Sequence, residues 1–215
     1  MNRFDDLPSI RQEYGTLDLL ESTLHKNPID QFEDWFTQHL QAEKNTPNAM
    51  VLSTVDQHGS PDSRVVLLKE LDNGAFVFYT NYYSVKGLQL DHNPHAALNF
   101  YWPELMRQVR VRGVVNRVSK QQADEYFYSR PIASQLSTIA SPQSAEISSR
   151  EELDNALAQA LQDYADKKII RPDHWGGYAV TPEEVEFWQG RDNRLHDRLQ
   201  YYRKRDTWCC RRLAP

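Results

Sequence analysis

The sequence predicts a mainly β fold with flanking helices, an α+β arrangement whose strands close as a barrel, and three observations carry that expectation. Aromatic residues make up 11% of the 215, with 5 Trp, 11 Tyr and 8 Phe against only 8 Gly, which suits an aromatic-rich β core better than a Gly-rich dinucleotide fold. Between residues 49 and 118, apolar or alternating segments follow one another with short polar turns, the pattern of a barrel. Two capping boxes further along announce helices. The length suits one large domain, read here as residues 28–215 behind a polar N-terminal arm of residues 1–27.

The arm shows no sustained period. From Pro28, the residues Ile29, Phe32, Trp35, Phe36 and Leu40 mark one face of an amphipathic helix ending near residues 45–47. Segments 49–55, 63–70 and 75–80, joined at Gln57-His58-Gly59 and Asp72-Asn73-Gly74, read as an antiparallel meander. A short helix over 84–91, an apolar strand over 96–102 and a long strand over 107–118 follow, the last interleaving Val109, Val111 and Val114 with Arg110 and Arg112. Ser119 with Gln122 and Ser149 with Glu152 open two helices. The second carries Leu153, Ala156, Leu157, Ala160, Leu161 and Tyr164 on one face. A Ser-rich loop over 134–149 separates them, and strand-like segments near 178–180, 185–188, 195–203 and 207–213 close the chain.

Charge narrows the possible partners. A net charge of -5 and a pI near 5.8 give the molecule no general attraction to nucleic acid or anionic membrane, so any anion site must be local. Cys209 and Cys210 are adjacent and offer no disulfide framework. The N-terminus MNRFDDLPSIRQEY lacks an apolar signal region and nowhere do 18 apolar residues run together, so a cytoplasmic protein is expected. The seven histidines show no metal-ligand spacing, and no P-loop, GxGxxG, CxxC, HExxH or GxSxG is present.

Three clusters remain. In Ser63-Arg64-Val65-Val66-Leu67-Leu68-Lys69, two cations bracket four apolar residues, so a buried strand would deliver a guanidinium and an ammonium to its two ends. Tyr79 and Thr80 end a nearby strand, and Ser84-Val85-Lys86 opens a helix whose N-terminal amides favour phosphate. Tyr126 and Arg130, at i and i+4 near a helix end, form with Ser134 of the following loop a hydroxyl-cation-hydroxyl set for a second phosphate, or else a helix C-terminus with a favourable Arg. Between Val185 and Arg198, alternation places Arg194, His196 and Arg198 on one side of a strand. That is costly on a buried face unless anions or rings bind there, and otherwise makes a solvated strand face.

The runs RVVLLK, FYTN, RQVRVRG, YFYSRP, SPQS, WGGY, EFWQGRDNRLHDR and the terminal RRLAP closely resemble the pyridoxamine 5'-phosphate oxidase family, over about Arg11 to Pro215. The resemblance implies a split β-barrel dimer with FMN at the subunit interface. It also implies oxidation of pyridoxamine or pyridoxine 5'-phosphate to pyridoxal 5'-phosphate, with O2 reoxidising the flavin to give H2O2. By position, Arg64, Val66, Leu67, Lys69, Tyr79, Thr80 and Lys86 would hold FMN, completed by Gln108, Gln143, Ser144, Trp188 and Arg198. Lys69, Tyr126, Arg130 and Ser134 would bind the substrate phosphate, Arg194 and His196 would act at its pyridine ring, and Arg11 with Tyr14 would belong to a lid in the arm. Two residues depart from the family pattern: Val85 stands where an Arg is usual before the helix-opening lysine, and Gln12 replaces a common basic residue. The alternative is a non-catalytic carrier of FMN or pyridoxal phosphate.

Overall fold

The structure is a computed structural model that describes residues 17–43 and 45–215, so the expectations for Arg11, Gln12 and Tyr14 lie outside the described residues. In chain order its elements are α1 (Pro28–Ala42), β1 (Ala49–Val55), β2 (Pro61–Leu67), β3 (Glu70–Asp72), β4 (Ala75–Asn81), α2 (Val85–His92), β5 (His95–Trp102) and β6 (Arg107–Arg117). There follow α3 (Lys120–Ser129), α4 (Ile132–Ala140), α5 (Arg150–Asp163), β7 (Trp175–Gln189), β8 (Asp197–Lys204) and β9 (Thr207–Leu213). They fall into two compact units. A cleft unit comprises Asn48–Leu98 and Arg112–Pro182; a terminal unit comprises Asn99–Val111, Glu183–Pro215 and the described residues up to Pro47. Because β5, β6 and β7 each carry residues of both units, composition along the chain shows no boundary.

In the cleft unit the strands run in the order β2-β1-β5-β6-β7-β4-β3. The expected meander is therefore incorrect, since β2 and β3 stand at opposite ends of the order. The cause lies in two successive residues: Leu68 N–H donates to Asn48 O at 2.8 Å beside β1, and Lys69 N–H donates to Val77 O at 2.8 Å on β4. The chain thus changes partners between Leu68 and Lys69. Nor is β2 a buried strand, because it pairs only with β1 and leaves Val65 65% exposed. Phe76, Phe78, Leu52, Leu98 and Phe127 fill the unit's core.

The serine half of each capping box forms as expected, Ser119 Oγ accepting from Gln122 N at 3.1 Å and Ser149 Oγ from Glu152 N at 3.2 Å, but the Gln122 side chain turns to Glu70 and that of Glu152 to Ser148. The Ser-rich segment is not all loop, however. Residues 132–140 are helical, with Leu136 and Gln135 buried at 2% and 6% exposure behind Pro131, so Ser134 sits in the first turn of α4. The two separate segments expected near 178–180 and 185–188 are one strand, β7.

In the terminal unit, α1 ends at Ala42, short of the expected 45–47, where Glu43 adopts extended backbone. Asn27 caps the helix and its side chain accepts from Ile29 N at 3.0 Å, with Pro28 in the first turn. Its apolar face packs as rings: Phe32 lies 5.0 Å from Phe100, and Trp35 meets Phe187 edge-on at 5.2 Å. The residues of β7 from Glu184 pair with β8, and β8 pairs with β9. Arg194 and His196 do not lie on a strand, contrary to the alternation. Asn193 at φ 55° and Arg194 at φ 61° are left-handed, which breaks the extended path, and β8 begins only at Asp197.

Candidate active site

A cleft of about 760 Å³ opens in the cleft unit where the ends of β2 and β4, the first turn of α2, the α3–α4 corner and the start of β7 converge. At its α2 end, Ser84 caps the helix and presents Lys86, which is 7% exposed. The ammonium donates to Thr80 Oγ1 at 3.2 Å and Ser84 Oγ at 3.1 Å. Burial, and then the nearby Arg64 charge, hold its pKa below the ordinary lysine value. Such a group gains from a bound anion, which replaces lost hydration and opposes the second cation.

Arg64, on β2 opposite Leu52, uses Nη1 on Leu52 O at 3.2 Å and Thr54 Oγ1 at 2.6 Å. Nη2 meets Gln89 Oε1 at 3.2 Å and the Asp62 carboxylate. This arginine is already fixed in orientation before any ligand arrives. Gln143 reaches the same corner, its Oε1 accepting from Thr80 Oγ1 at 3.0 Å and from Asn81 N at 3.1 Å.

At the other end, the Tyr79 and Tyr126 rings stack with centroids 3.8 Å apart, and both lie near-parallel to Trp175, at 5.6 and 6.1 Å. Burial, then the charge of Glu70, pushes the Tyr79 hydroxyl up to about 12, so it stays protonated. The Tyr79 ring can take this place because its cross-strand partner is Gly177: a Cβ there would fall 2.8 Å from the ring. Arg130, the residue capping α3, lies over the Trp175 face at 4.7 Å and donates Nη1 to Thr138 Oγ1 at 2.7 Å. Burial lowers its pKa from the ordinary arginine value.

The cleft therefore brings together Arg64, Val66, Leu67, Lys69, Tyr79, Thr80, Lys86, Gln143, Tyr126, Arg130 and Ser134, all singled out from the sequence. Ser144, left-handed at φ 73°, lines an adjoining cleft of about 540 Å³ instead. Val85 also faces that second cleft with Leu88, Ile139 and Pro142; Asn81, Ser141 and Gln143 line both. The sequence reading missed Trp175, Thr138 and Ser137 in the main cleft. Trp175 was signalled by the pair Gly176-Gly177 after it, which asks for close approach; Thr138 was hidden in the stretch taken as loop.

The remaining candidates belong to the terminal unit. Gln108 is half-buried on β6. Arg198 forks onto Glu186 at 2.9 and 3.2 Å, with Nη1 on Ala214 O at 2.8 Å. Trp188 lies 4.7 Å from the His196 ring. His196 Nδ1 accepts from the Arg191 backbone N–H at 3.0 Å, so the neutral ring carries its proton on Nε2. Burial first, and then Arg194, keep that ring below the ordinary histidine pKa. Among the described residues there is no cluster of three or more His, Cys, Asp or Glu able to hold a metal, and no helix long and apolar enough to cross a membrane.

Comparison with known proteins adds the following. Residues 36–162 match the family described as pyridoxamine 5'-phosphate oxidase, and residues 175–215 match the pyridoxine 5'-phosphate oxidase C-terminal dimerisation region. The chain is 58% identical over 215 residues, covering 100% of both chains, to the pyridoxine/pyridoxamine 5'-phosphate oxidase of Legionella pneumophila (strain Lens). It is 48% identical over 212 residues to the Haemophilus influenzae protein of the same name, covering 98% of this chain and 100% of that one. Among solved structures, PhzG from Burkholderia lata 383, in complex with tetrahydrophenazine-1-carboxylic acid, superposes with a TM-score of 0.86 at 29% identity, covering 94% of this chain and 100% of that one.

Proposed function

The chain belongs to the pyridoxamine 5'-phosphate oxidase family, and from that premise we propose how its residues divide the work of the reaction. The protein oxidises pyridoxamine and pyridoxine 5'-phosphate to pyridoxal 5'-phosphate, with FMN as cofactor and O2 as final acceptor. The observation that carries this reading is a single cleft with a fixed or buried cation at each end, Arg64 and Lys86 at one and Arg130 at the other. Two phosphate-bearing molecules must meet for the reaction, and the donor set of the cleft fits both. The buried Lys86 ammonium, hydrogen-bonded to hydroxyls and depressed in pKa, suits the FMN phosphate; Tyr126, Arg130 and Ser134 suit the phosphate of the substrate.

FMN, when bound, supplies the acceptor for hydride from the substrate C4' carbon and the route by which O2 becomes H2O2. The chain's own contribution is positioning. Holding both reactants by their phosphates turns an encounter into an oriented contact, which accounts for much of the rate. Lys69, where the chain leaves β2 and its N–H turns to Val77 of β4, lines the same cleft. Thr80 and Gln143 brace Lys86, and Tyr79 stacks on Tyr126 so that its protonated hydroxyl stays fixed.

Arg194 clamps the pyridine ring, and His196 acts as a neutral Nε2–H donor to it, because Nδ1 is occupied by Arg191 N–H and the ring is below its ordinary pKa. Trp188, Gln108, Ser144 and Arg198 complete the cofactor site. The protein works as a homodimer in the cytoplasm; the match of residues 175–215 to a dimerisation region and the adjacent free cysteines support this. In that dimer the Arg64 region of one subunit and the Trp188–Arg198 region of the other serve the same FMN.

The test is spectroscopic and kinetic together. Protein saturated with FMN and freed of excess retains about one flavin per subunit, and yields H2O2 in step with pyridoxal 5'-phosphate when given pyridoxamine 5'-phosphate in air. A protein that remains colourless overturns the reading, and one that binds flavin without turnover is the non-catalytic carrier.

A further inference from the structure

An arginine recognises a phosphate monoester well only when its planar fork is held in place beforehand, since its long stem otherwise loses rotamer freedom on binding. Arg130 is held from two sides. Its guanidinium rests 4.7 Å over the Trp175 ring, and its Nη1 donates to Thr138 Oγ1 at 2.7 Å. Thr138 lies on α4, and its hydroxyl proton goes to the carbonyl of Ser134 one turn earlier, at 3.0 Å. With the proton sent there, the oxygen's lone pairs are left for the guanidinium. The backbone of Arg130 is tied to the same helix, because the buried Gln135 donates Nε2 to Arg130 O at 2.8 Å.

We propose that Thr138 is a positioning residue for phosphate capture: it sets the Arg130 fork against the Trp175 face and couples it to Ser134, presenting both as one rigid receptor. This rests on the reading of Arg130 and Ser134 as ligands of the substrate phosphate. The role requires a hydroxyl and little else. Serine at 138 can accept and donate in the same directions, whereas valine keeps the branched shape but has no acceptor, so Arg130 is left desolvated and free to turn.

The experiment compares Thr138→Val, Thr138→Ser, Thr138→Ala and Arg130→Ala in the FMN-loaded protein. Binding of pyridoxal 5'-phosphate and of unphosphorylated pyridoxal is read by fluorescence titration, turnover of pyridoxamine 5'-phosphate by KM and kcat, and folding by thermal melting. Thr138→Val and Thr138→Ala should each weaken pyridoxal 5'-phosphate about tenfold, the loss of one well-placed charged hydrogen bond, and raise KM while kcat holds. Pyridoxal binding should not change, and Thr138→Ser should restore the parent values. If Thr138→Val and Thr138→Ala bind pyridoxal 5'-phosphate like the parent while Arg130→Ala does not, the positioning role is wrong and the phosphate reading stands. Equal weakening of pyridoxal and its phosphate marks a general structural defect and also overturns the role. If Arg130→Ala itself binds like the parent, the phosphate reading beneath the proposal fails.

Discussion

In the cleft, Lys86 and Arg130 direct their hydrogen bonds to hydroxyls and Arg130 also rests on an indole face, whereas in the terminal unit Arg191, Arg198 and Arg212 meet carboxylates. Arg212 forks onto Glu21 at 2.7 and 2.8 Å and adds Asp197 at 2.5 Å; Arg191 reaches Asp197 at 3.3 Å and also meets Asp18. The contrast separates two uses of the same chemistry. A cation matched to a carboxylate within the chain is neutralised and holds structure, while one braced only by neutral groups keeps its charge for a ligand. Arg64 and Arg198 stand between them: Arg64 is paired to Asp62 yet lines the cleft, and Arg198 forks onto Glu186 yet is assigned to the cofactor. Basic residues counted along the sequence cannot show this division, since the partners are far away in the chain: Arg212 and Glu21 are 191 residues apart.

Substitutions separate the two roles. The largest effect is expected from Arg194→Ala, which should slow flavin reduction by about tenfold to a hundredfold, the value of a charged hydrogen bond, while leaving FMN bound. Stopped-flow reduction at the parent rate would remove Arg194 from the site. Next is Arg198→Met, which leaves the 6%-exposed Glu186 without its fork. Because Arg198 is partly exposed, a loss of about 2 kcal/mol is expected, or roughly 4–8 °C in Tm for a chain of this size. An unchanged melt would mean that the Arg198 fork onto Glu186 adds nothing to the fold and that its role is with the cofactor alone.

Val85→Arg adds a cation beside the cleft and should tighten FMN by up to about tenfold, with the gain shrinking as salt rises. Because Val85 faces the adjoining cleft, its guanidinium must reach past Asn81 and Gln143, which both clefts share. Equal affinities by apoprotein titration would mean that it does not. The smallest effect is expected from Glu21→Gln. The hydrogen bond from Arg212 holds the Glu21 carboxyl at about 2, below its usual 4.5. A depressed carboxylate stabilises the fold above the unfolded value and stops doing so as pH falls through the folded one. The melting difference from the parent should thus be full at neutral pH, narrow below about 4.5 and vanish near 2. A difference that persists at pH 2 would assign the effect to packing.

Much of the site was legible because its residues sit at strand ends and helix starts, where local patterns are informative. Ser84, Lys86 and Thr80 were placed by strand length and capping, whereas Arg64, read as one end of a buried strand, lies mid-way along the largely exposed β2. The failures have physical causes. The switch at Leu68–Lys69 is a choice between two distant partners, β1 and β4, that no local pattern encodes. The helix α4 was obscured because Ser134, Ser137 and Ser141 read as loop, although Leu136 and the proline at its start favour a helix. Arg194 defeated the alternation rule because two successive left-handed residues stop the strand before Asp197. Strain of that kind is retained where surroundings enforce it, and Ser144 and Arg194, both assigned to ligand contact, are among the residues that carry it.

Lys86 and Arg130, braced by neutral groups, thus serve phosphates, while the carboxylate-paired Arg191 and Arg212 serve the fold. The most direct test titrates apoprotein with FMN and with riboflavin, comparing the parent, Lys86→Met and Arg212→Met. Lys86→Met should weaken FMN by about a hundredfold, leave riboflavin unchanged and keep the parent Tm, since a buried ammonium–phosphate contact is worth roughly 3 kcal/mol. Arg212→Met should lower Tm and leave the preference for FMN over riboflavin intact. A Lys86→Met protein that still prefers FMN as strongly as the parent would show that Lys86 does not hold the phosphate.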